Sequence, residues 1–432
     1  MLPFSIVSIS KNNAGLISQY CDSIEKHFGK INDQIEVILV DTGSSDDTIK
    51  LAQDRGIKVT IVGNKFDKFI TKKQSQYINK HCGENIVYAN QEFFDFAQAR
   101  NFADLLAIND WCLSLDICDF IENVNLDELL QSIKYANENP NIHSFEYIFN
   151  FCGYAQTCNK FYHRAKGNWR CVVHEIKYRE ANFITHPLKN DVLQIKRDLV
   201  NNNSYLVGLA YAYYFEKDFD TNKRIRYYLG RDLYYAKKYI AAEKILKNCS
   251  GDKNEWSKQK AFAFFYLGNI YYDQNKIIEA IKAYVNSIAT YPNICEPYLK
   301  LAKIKFDEND FIGAIGYCDQ SLLIEADTEN LLTTSLSDNK NYITESYKIK
   351  YLSLIKLSQI YRNAKITDLR WIEKALELED KTGLSNDLKY QGWQEYYTAI
   401  YHTNYDISKQ YFIKCKKLDS KRCEHDKKYY LK

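Results

Sequence analysis

Over the first 125 residues the spacing of apolar positions alternates between two periods. Short, nearly continuous apolar runs at Phe4 to Ile9, Ile35 to Val40, Ile57 to Val62 and Trp111 to Leu115 read as buried strands. Between them the spacing becomes helical. Leu16, Ile17, Tyr20, Ile24 and Phe28 fall on one helix face, and Thr48 to Arg55 and Phe93 to Ile108 read as two further helices. This βαβαβ rhythm predicts an α/β domain with a mostly parallel, doubly wound sheet. A Lys-rich polar insertion, Asn64 to Asn90, interrupts it and reads as a solvated excursion, with a mobile flap beside the crevice as the alternative. Ile148 to Tyr178 is less regular, and a polar connection follows near Asn201 to Ser204.

Beyond that connection the pattern is helical and repeats. Leu267, Gly268, Tyr271, Ala280, Tyr284 and Pro292 have tetratricopeptide spacing. The frame returns one period later at Leu301, Ala302, Ala314 and Ser321, and an earlier unit carries Leu229, Gly230, Ala242 and Leu246. Small residues at these places let two helices approach closely, and large ones fill the groove between units. The expected division is therefore residues 1–205 for the α/β domain and 206–432 for an all-α, tetratricopeptide-like solenoid, with units near 223–256, 261–294 and 295–328. After Asp327 the frame fades, and Tyr342 to Asn363 and Leu388 to Lys417 read as divergent helical hairpins.

Composition narrows the setting. Of 432 residues, 46% are apolar and 26% charged, enough for a sizeable core. The net charge of +3 is too small to predict a nucleic-acid partner or an acidic membrane surface. Twelve cysteines without a Cys-x-x-Cys pair suggest free thiols in a reducing compartment. The amino terminus lacks a basic n-region and runs straight into a strand, and no apolar stretch is long enough for a membrane span, so a cytoplasmic location is expected.

Four segments carry candidate chemistry. Asp41-Thr-Gly-Ser-Ser-Asp-Asp-Thr48 follows the second strand, at the carboxyl end where open α/β sheets bind ligands. Gly43 permits a sharp turn, and Ser45 or Asp46 can cap the next helix. The others are Phe96 to Phe102 with Arg100 and Asn101, Trp111 to Asp119 with Asp116, and Trp169 to Glu175 with His174. In order and approximate spacing these resemble the family-2 glycosyltransferases of GT-A fold, and most of all the subgroup that joins such a domain to tetratricopeptide repeats.

The resemblance implies transfer of a sugar, with inversion, from a nucleoside diphosphate sugar, expected to be UDP-linked, to an acceptor that is protein, lipid or glycan. It implies that Asp41 accepts from the nucleotide base, that Arg100 and Asn101 lie beside the donor, and that Asp116 and His174 hold Mn²⁺ or Mg²⁺ against the diphosphate. Lys160 and Arg164 lie where basic residues would face the same group. Glu175 is the candidate general base, with Asp119 as runner-up. The chain departs from the family pattern at one point: Cys118 stands where the second aspartate of Asp-x-Asp belongs, and Asp119 where a glutamate usually follows. Asp116 alone can suffice, Asp119 can substitute, or metal binding is weakened. Oxidoreductase and P-loop readings fail for want of their glycine motifs. The alternative is a weakened transferase domain that acts with the repeats as a protein-binding scaffold.

Overall fold

The computed structural model describes residues 1–151, 154–178, 182–197, 205–216, 219–252, 257–326, 339–366, 368–379, 384–401 and 404–423. Two compact units divide the chain, Met1–Cys249 and Ser250–Lys432. The first begins β1 (Phe4–Ser10), α1 (Ala14–Phe28), β2 (Glu36–Asp41), α2 (Thr48–Asp54), β3 (Lys58–Ile61). Next come β4 (Asp67–Phe69), α3 (Lys72–Cys82), β5 (Glu92–Phe94), α4 (Phe96–Leu106), β6 (Trp111–Ser114), β7 (Phe120–Val124) and α5 (Leu126–Glu138). Strands β8 (Ile142–Phe151), β9 (Tyr154–His163), β10 (Asn168–Arg170), β11 (Ile176–Tyr178), β12 (Ile184–Pro187) and β13 (Leu193–Arg197) follow. Helices α6 (Leu206–Phe215), α7 (Phe219–Tyr235) and α8 (Tyr239–Gly251) close the unit.

Among the described residues nine strands form one sheet, in the order β3-β2-β1-β6-β9-β8-β13-β7, with β12 beside β8. Strands β3, β2, β1 and β6 run parallel, and β9 turns antiparallel to both β6 and β8. Successive side chains on a strand face opposite ways, so the continuous apolar runs feed two cores. Phe4 and Ile6 of β1 and Val37 and Leu39 of β2 pack with Ile17, Tyr20 and Ile24 of α1 on one face. Val7, Ile38 and Val40 pack with Ala97, Ala99 and Ala103 of α4 on the other. This is the mostly parallel α/β fold that the sequence pattern predicts.

Two expectations about the elements of the first unit need correction. The polar insertion is folded: Ile70, Ile78, Cys82, Ile86 and Val87 are buried, and Thr71 opens α3 with a reciprocal capping box to Gln74. The stretch read as irregular, Ile148 to Tyr178, takes in the end of β8 and all of β9, two ten-residue strands that pair antiparallel.

The second unit consists of α9 (Ser257–Asp273), α10 (Ile277–Thr290), α11 (Glu296–Asp307), α12 (Phe311–Ala326), α13 (Asn339–Asn363), α14 (Arg370–Leu376), α15 (Asn386–Ile400) and α16 (Tyr405–Leu418). Helices pair as α9–α10, α11–α12 and α15–α16, and short turns at 274–276 and 308–310 join the first two pairs. Gly268 makes the first pairing close, since a Cβ there would lie 2.4 Å from the Tyr284 ring. The segment Tyr342 to Asn363 is not a hairpin but part of one continuous 25-residue helix, α13. The pair α7–α8, the earliest repeat in the sequence, belongs to the first unit up to Cys249, two residues short of the end of α8.

Candidate functional site

The parallel strands bring their carboxyl ends to one edge of the sheet. Chain order reverses between β1 and β6, because β2 and β3 lie on one side of β1 and β6 on the other. Loops on either side of such a reversal diverge and leave a crevice. Here it is a cavity of about 870 Å³, lined by Ser10 to Asn13 after β1, Thr42 after β2 and Asp116 to Cys118 after β6.

Asp41 ends β2 and is fully buried. Its Oδ1 accepts the backbone N–H groups of Gly43 and Ser44, at 3.1 and 3.0 Å, which closes the turn that Gly43 makes at φ 97°. Its Oδ2 is buried without a hydrogen-bond partner among the described residues. The turn is locked to the loop after β1: the Ser44 hydroxyl accepts from the Asn12 amide, and the Asn12 carboxamide accepts from the Ser45 amide. Asp46, one residue before the N-cap Asp47, accepts the Thr48 N–H at the start of α2.

Arg100 is the hub. It rises from the buried face of α4 and donates from Nε to Glu175 at 2.6 Å, from Nη1 to Ser114 at 2.9 Å and from Nη2 to Asp116 at 2.7 Å. Its guanidinium also lies over Trp169, 5.3 Å from the ring centroid. Burial opposes its charge, but Asp116 and Glu175 outweigh that and hold it protonated. Asp116 is pushed up by burial and pulled further down by Lys160, Arg100 and Arg197, so it stays ionised well below the usual carboxylate range. Asp119 lies beneath, almost wholly buried; its Oδ2 accepts the Asp116 amide and its Oδ1 accepts Arg197 Nε at 2.6 Å. Burial and the neighbouring Asp116 raise its carboxyl, against Arg197.

His174 and Glu175 sit on the loop that joins the paired strands β10 and β11. The loop is strained: Cys171 and His174 both have left-handed backbone, φ 75° and 51°. Its backbone is held by the Phe96 amide donating to the Val172 carbonyl and the Val172 amide donating to Glu216. The His174 ring stacks on Tyr228, centroids 4.0 Å apart and planes within 6°. Burial, then Arg231, pushes its pKa down to about 4 despite Glu175, so the imidazole is neutral near pH 7. Its Nε2 is buried without a hydrogen-bond partner among the described residues.

The structure thus brings Arg100, Asp116, His174 and Glu175 to one cavity, with Asp41 under its floor beside Thr42. It does not bring Asn101 or Asp119 to the wall. Asn101 is occupied by Trp169, donating to its carbonyl and accepting its amide, which ties α4 to β10. Lys160 lines the cavity, whereas Arg164 turns to the Asp104 carbonyl and Asp110.

No protein-family model matches the chain, and no curated protein sequence matches it. Among solved structures it is similar to S. aureus TarS, at 11% identity over 66% of this chain and 55% of that one, with a TM-score of 0.34. The match therefore spans little more than half of that protein. A shorter TarS, residues 1–349 in complex with UDP-GlcNAc, is similar at 11% identity over 68% and 90%, with a TM-score of 0.30. Yeast Tom70 is similar at 17% identity over 53% and 44%, again with a TM-score of 0.30.

The residues around Asp116 do not fit a divalent ion. Both carboxylate oxygens already face cations: Oδ1 accepts from Arg100, while Oδ2 accepts Arg197 Nη2 at 2.5 Å and lies 3.7 Å from Lys160 Nζ. Burial pushes the Cys118 thiol up to about 11, so it presents a neutral sulfur where a hard cation needs oxygen. Among the described residues no three His, Cys, Asp or Glu side chains are grouped so as to hold a metal.

Sequence reasoning missed Arg197, the last residue of β13, and also Lys11, Tyr205 and Arg224, all of which line the cavity. Arg197 ends an alternating strand with no motif around it, and only the sheet order carries it to Asp116.

Proposed function

We propose that the first unit is a glycosyltransferase that takes a nucleoside diphosphate sugar as donor. The observation that supports this most is the position of the charged cavity, at the point where strand order reverses, between the ends of β1 and β6. Next to the lining residue Thr42 lies Asp41 Oδ2, a buried acceptor without a hydrogen-bond partner among the described residues, of a kind suited to the N–H edge of a base such as uracil. The wall offers Lys160, Arg197 and Arg100, whose charges suit a diphosphate.

Glu175 is the one carboxylate of the Val-His-Glu loop, and it lines the cavity where Asp119 does not. It is assigned the general-base role. The acceptor hydroxyl oxygen bonds to the anomeric carbon as the bond to the diphosphate breaks, Glu175 takes the hydroxyl proton, and the configuration inverts. Arg100 holds Glu175 and stabilises negative charge on the leaving side. The helical repeats are assigned to acceptor recruitment, since the inner surface of such arrays is their usual binding face.

The test is calorimetry of the full chain with UDP, GDP, dTDP and CMP, followed by product analysis with the sugar conjugates of whichever base binds. Selective binding of a uridine nucleotide and release of free UDP from a UDP sugar are expected. A folded chain that binds no nucleotide would overturn the proposal.

A further inference from the structure

The charges around Asp116 reverse the part this residue would play in a metal-dependent transferase. A metal ligand needs a free carboxylate oxygen facing an ion, with further oxygen donors alongside. Asp116 has three cations instead: Arg100 at 2.7 Å, Arg197 at 2.5 Å and Lys160 at 3.7 Å. A divalent ion on either oxygen would have to displace a guanidinium or sit against these three full positive charges. The next cavity residues offer no replacement, since Ile117 is apolar and Cys118 ends in sulfur.

Arg197 is built in rather than merely nearby. Its Nε is held by Asp119 at 2.6 Å and its Nη2 by Asp116, which leaves Nη1 outside these two bonds. Asp119 is itself fixed by the Asp116 amide at 2.9 Å. Two carboxylates thus hold one guanidinium in a single orientation at the cavity wall, with about a fifth of its side chain exposed. Lys160 reaches the same point from β9; it is 27% exposed, and among the described residues its one ion pair is the long one to Asp116. Lys11 and Arg224 also line the cavity. The acidic lining residues other than Asp116 are Asp67, Glu92 and Glu175, and Glu175 is engaged by Arg100.

We propose that this chain binds the donor diphosphate without a divalent ion, on a cradle of side-chain cations in which Arg197 and Lys160 contact the phosphates and Asp116 with Asp119 anchors Arg197. The inference rests on the nucleotide-sugar reading above and sharpens it. A guanidinium and an ammonium supply the charge and hydrogen bonds that a bound metal would otherwise give the leaving group. Asp116 acts through Arg197 and is a positioning residue.

The test is calorimetry of the full chain with inorganic pyrophosphate and with UDP, in EDTA and again with saturating Mn²⁺. Both ligands are expected to bind in EDTA, and Mn²⁺ should change the dissociation constants by less than about threefold. Lys160→Ala breaks only a long, part-exposed pair, so the fold should survive by circular dichroism; its affinity for pyrophosphate should fall about tenfold or more. Arg197→Lys keeps the charge but loses the fork, and should also weaken pyrophosphate. UDP binding that appears only with Mn²⁺ would overturn the cradle and leave the transferase reading standing. Wild-type affinity for pyrophosphate in both variants would also overturn the cradle. Failure of any nucleotide to bind under either condition would remove both readings.

Discussion

At the scale of single residues, Glu175 is held by one strong contact, Arg100 Nε at 2.6 Å. Glutamine keeps an acceptor for that bond but loses the charge of the ion pair and the ability to take a proton. Glu175→Gln is therefore expected to lower the turnover rate by about 10²- to 10⁴-fold while UDP affinity stays near wild type, measured by steady-state kinetics beside calorimetry. Loss of binding in place of turnover would assign Glu175 to the donor site. Glu36 shows the same logic applied to stability. Fully buried at the start of β2, it accepts from Ser5 at 2.6 Å, Lys58 at 2.7 Å and the Ile108 amide at 3.0 Å. Burial alone would raise its pKa, but these donors, Lys58 and Ser5 first, bring it below 4.5. Its carboxylate therefore adds stability that is fully present above pH 4.5 and lost as the pH falls through the lower folded value. Glu36→Gln should cost about 1–3 kcal/mol at pH 7 in urea unfolding, and the gap to wild type should close in acid. The two residues differ in how far the sequence shows them. Glu175 stood in a recognisable motif, whereas Glu36 was an isolated charge in an apolar run, and only strand register shows its partners.

At the scale of elements, helix pairing in the second unit depends on small residues. Gly268 on α9 faces the Tyr284 ring of α10, whose hydroxyl donates to Asn269 at 2.8 Å. Gly268→Ala would place a methyl 2.4 Å from that ring, in a buried and well-filled contact. Glycine is otherwise the poorer helix former, so an exposed site would gain stability from this change. Here overpacking should prevail, costing about 1–3 kcal/mol in chemical denaturation. An unchanged or raised midpoint would show that the pair has room to part. This contact was legible because the repeat frame sets Gly268 and Tyr284 at a fixed offset. The insertion and α13 were misread for the opposite reason. Polar composition in the insertion hides the few residues, such as Ile70 and Ile78, that anchor it. In α13 the fading repeat frame suggested a turn where the helical hydrogen bonding simply continues.

At the scale of the whole chain, the cavity needs more than the α/β core of residues 1–205. Tyr205 and Arg224 line it, and Glu216 holds the Val172 amide of the loop that carries Glu175. Gly208 on α6 packs so closely on Val173 that a Cβ there would lie 2.6 Å from it. A chain ending at residue 205, where the sequence pattern placed the boundary, should therefore lose UDP binding. A chain ending at residue 252 should keep it within about threefold by calorimetry. Equal binding by both would show that α6 to α8 are dispensable for the site. Among the described residues no helix is long and apolar enough to cross a membrane.

The sequence by itself determined the two architectures, because apolar period is a local property: continuous runs become doubly covered strands, and spaced small and large residues become paired helices. It also singled out Asp41, Arg100, Asp116, His174 and Glu175, because each lies in a short segment with a recognisable order. Tertiary structure decided what those residues touch. Asn101 turned out to bind Trp169, and Asp119 to lie under the site rather than in it. Arg197 reached Asp116 across 81 positions of chain. Side-chain charge balance is set by such long-range approaches, through sheet order and register, and no local pattern in a sequence encodes them.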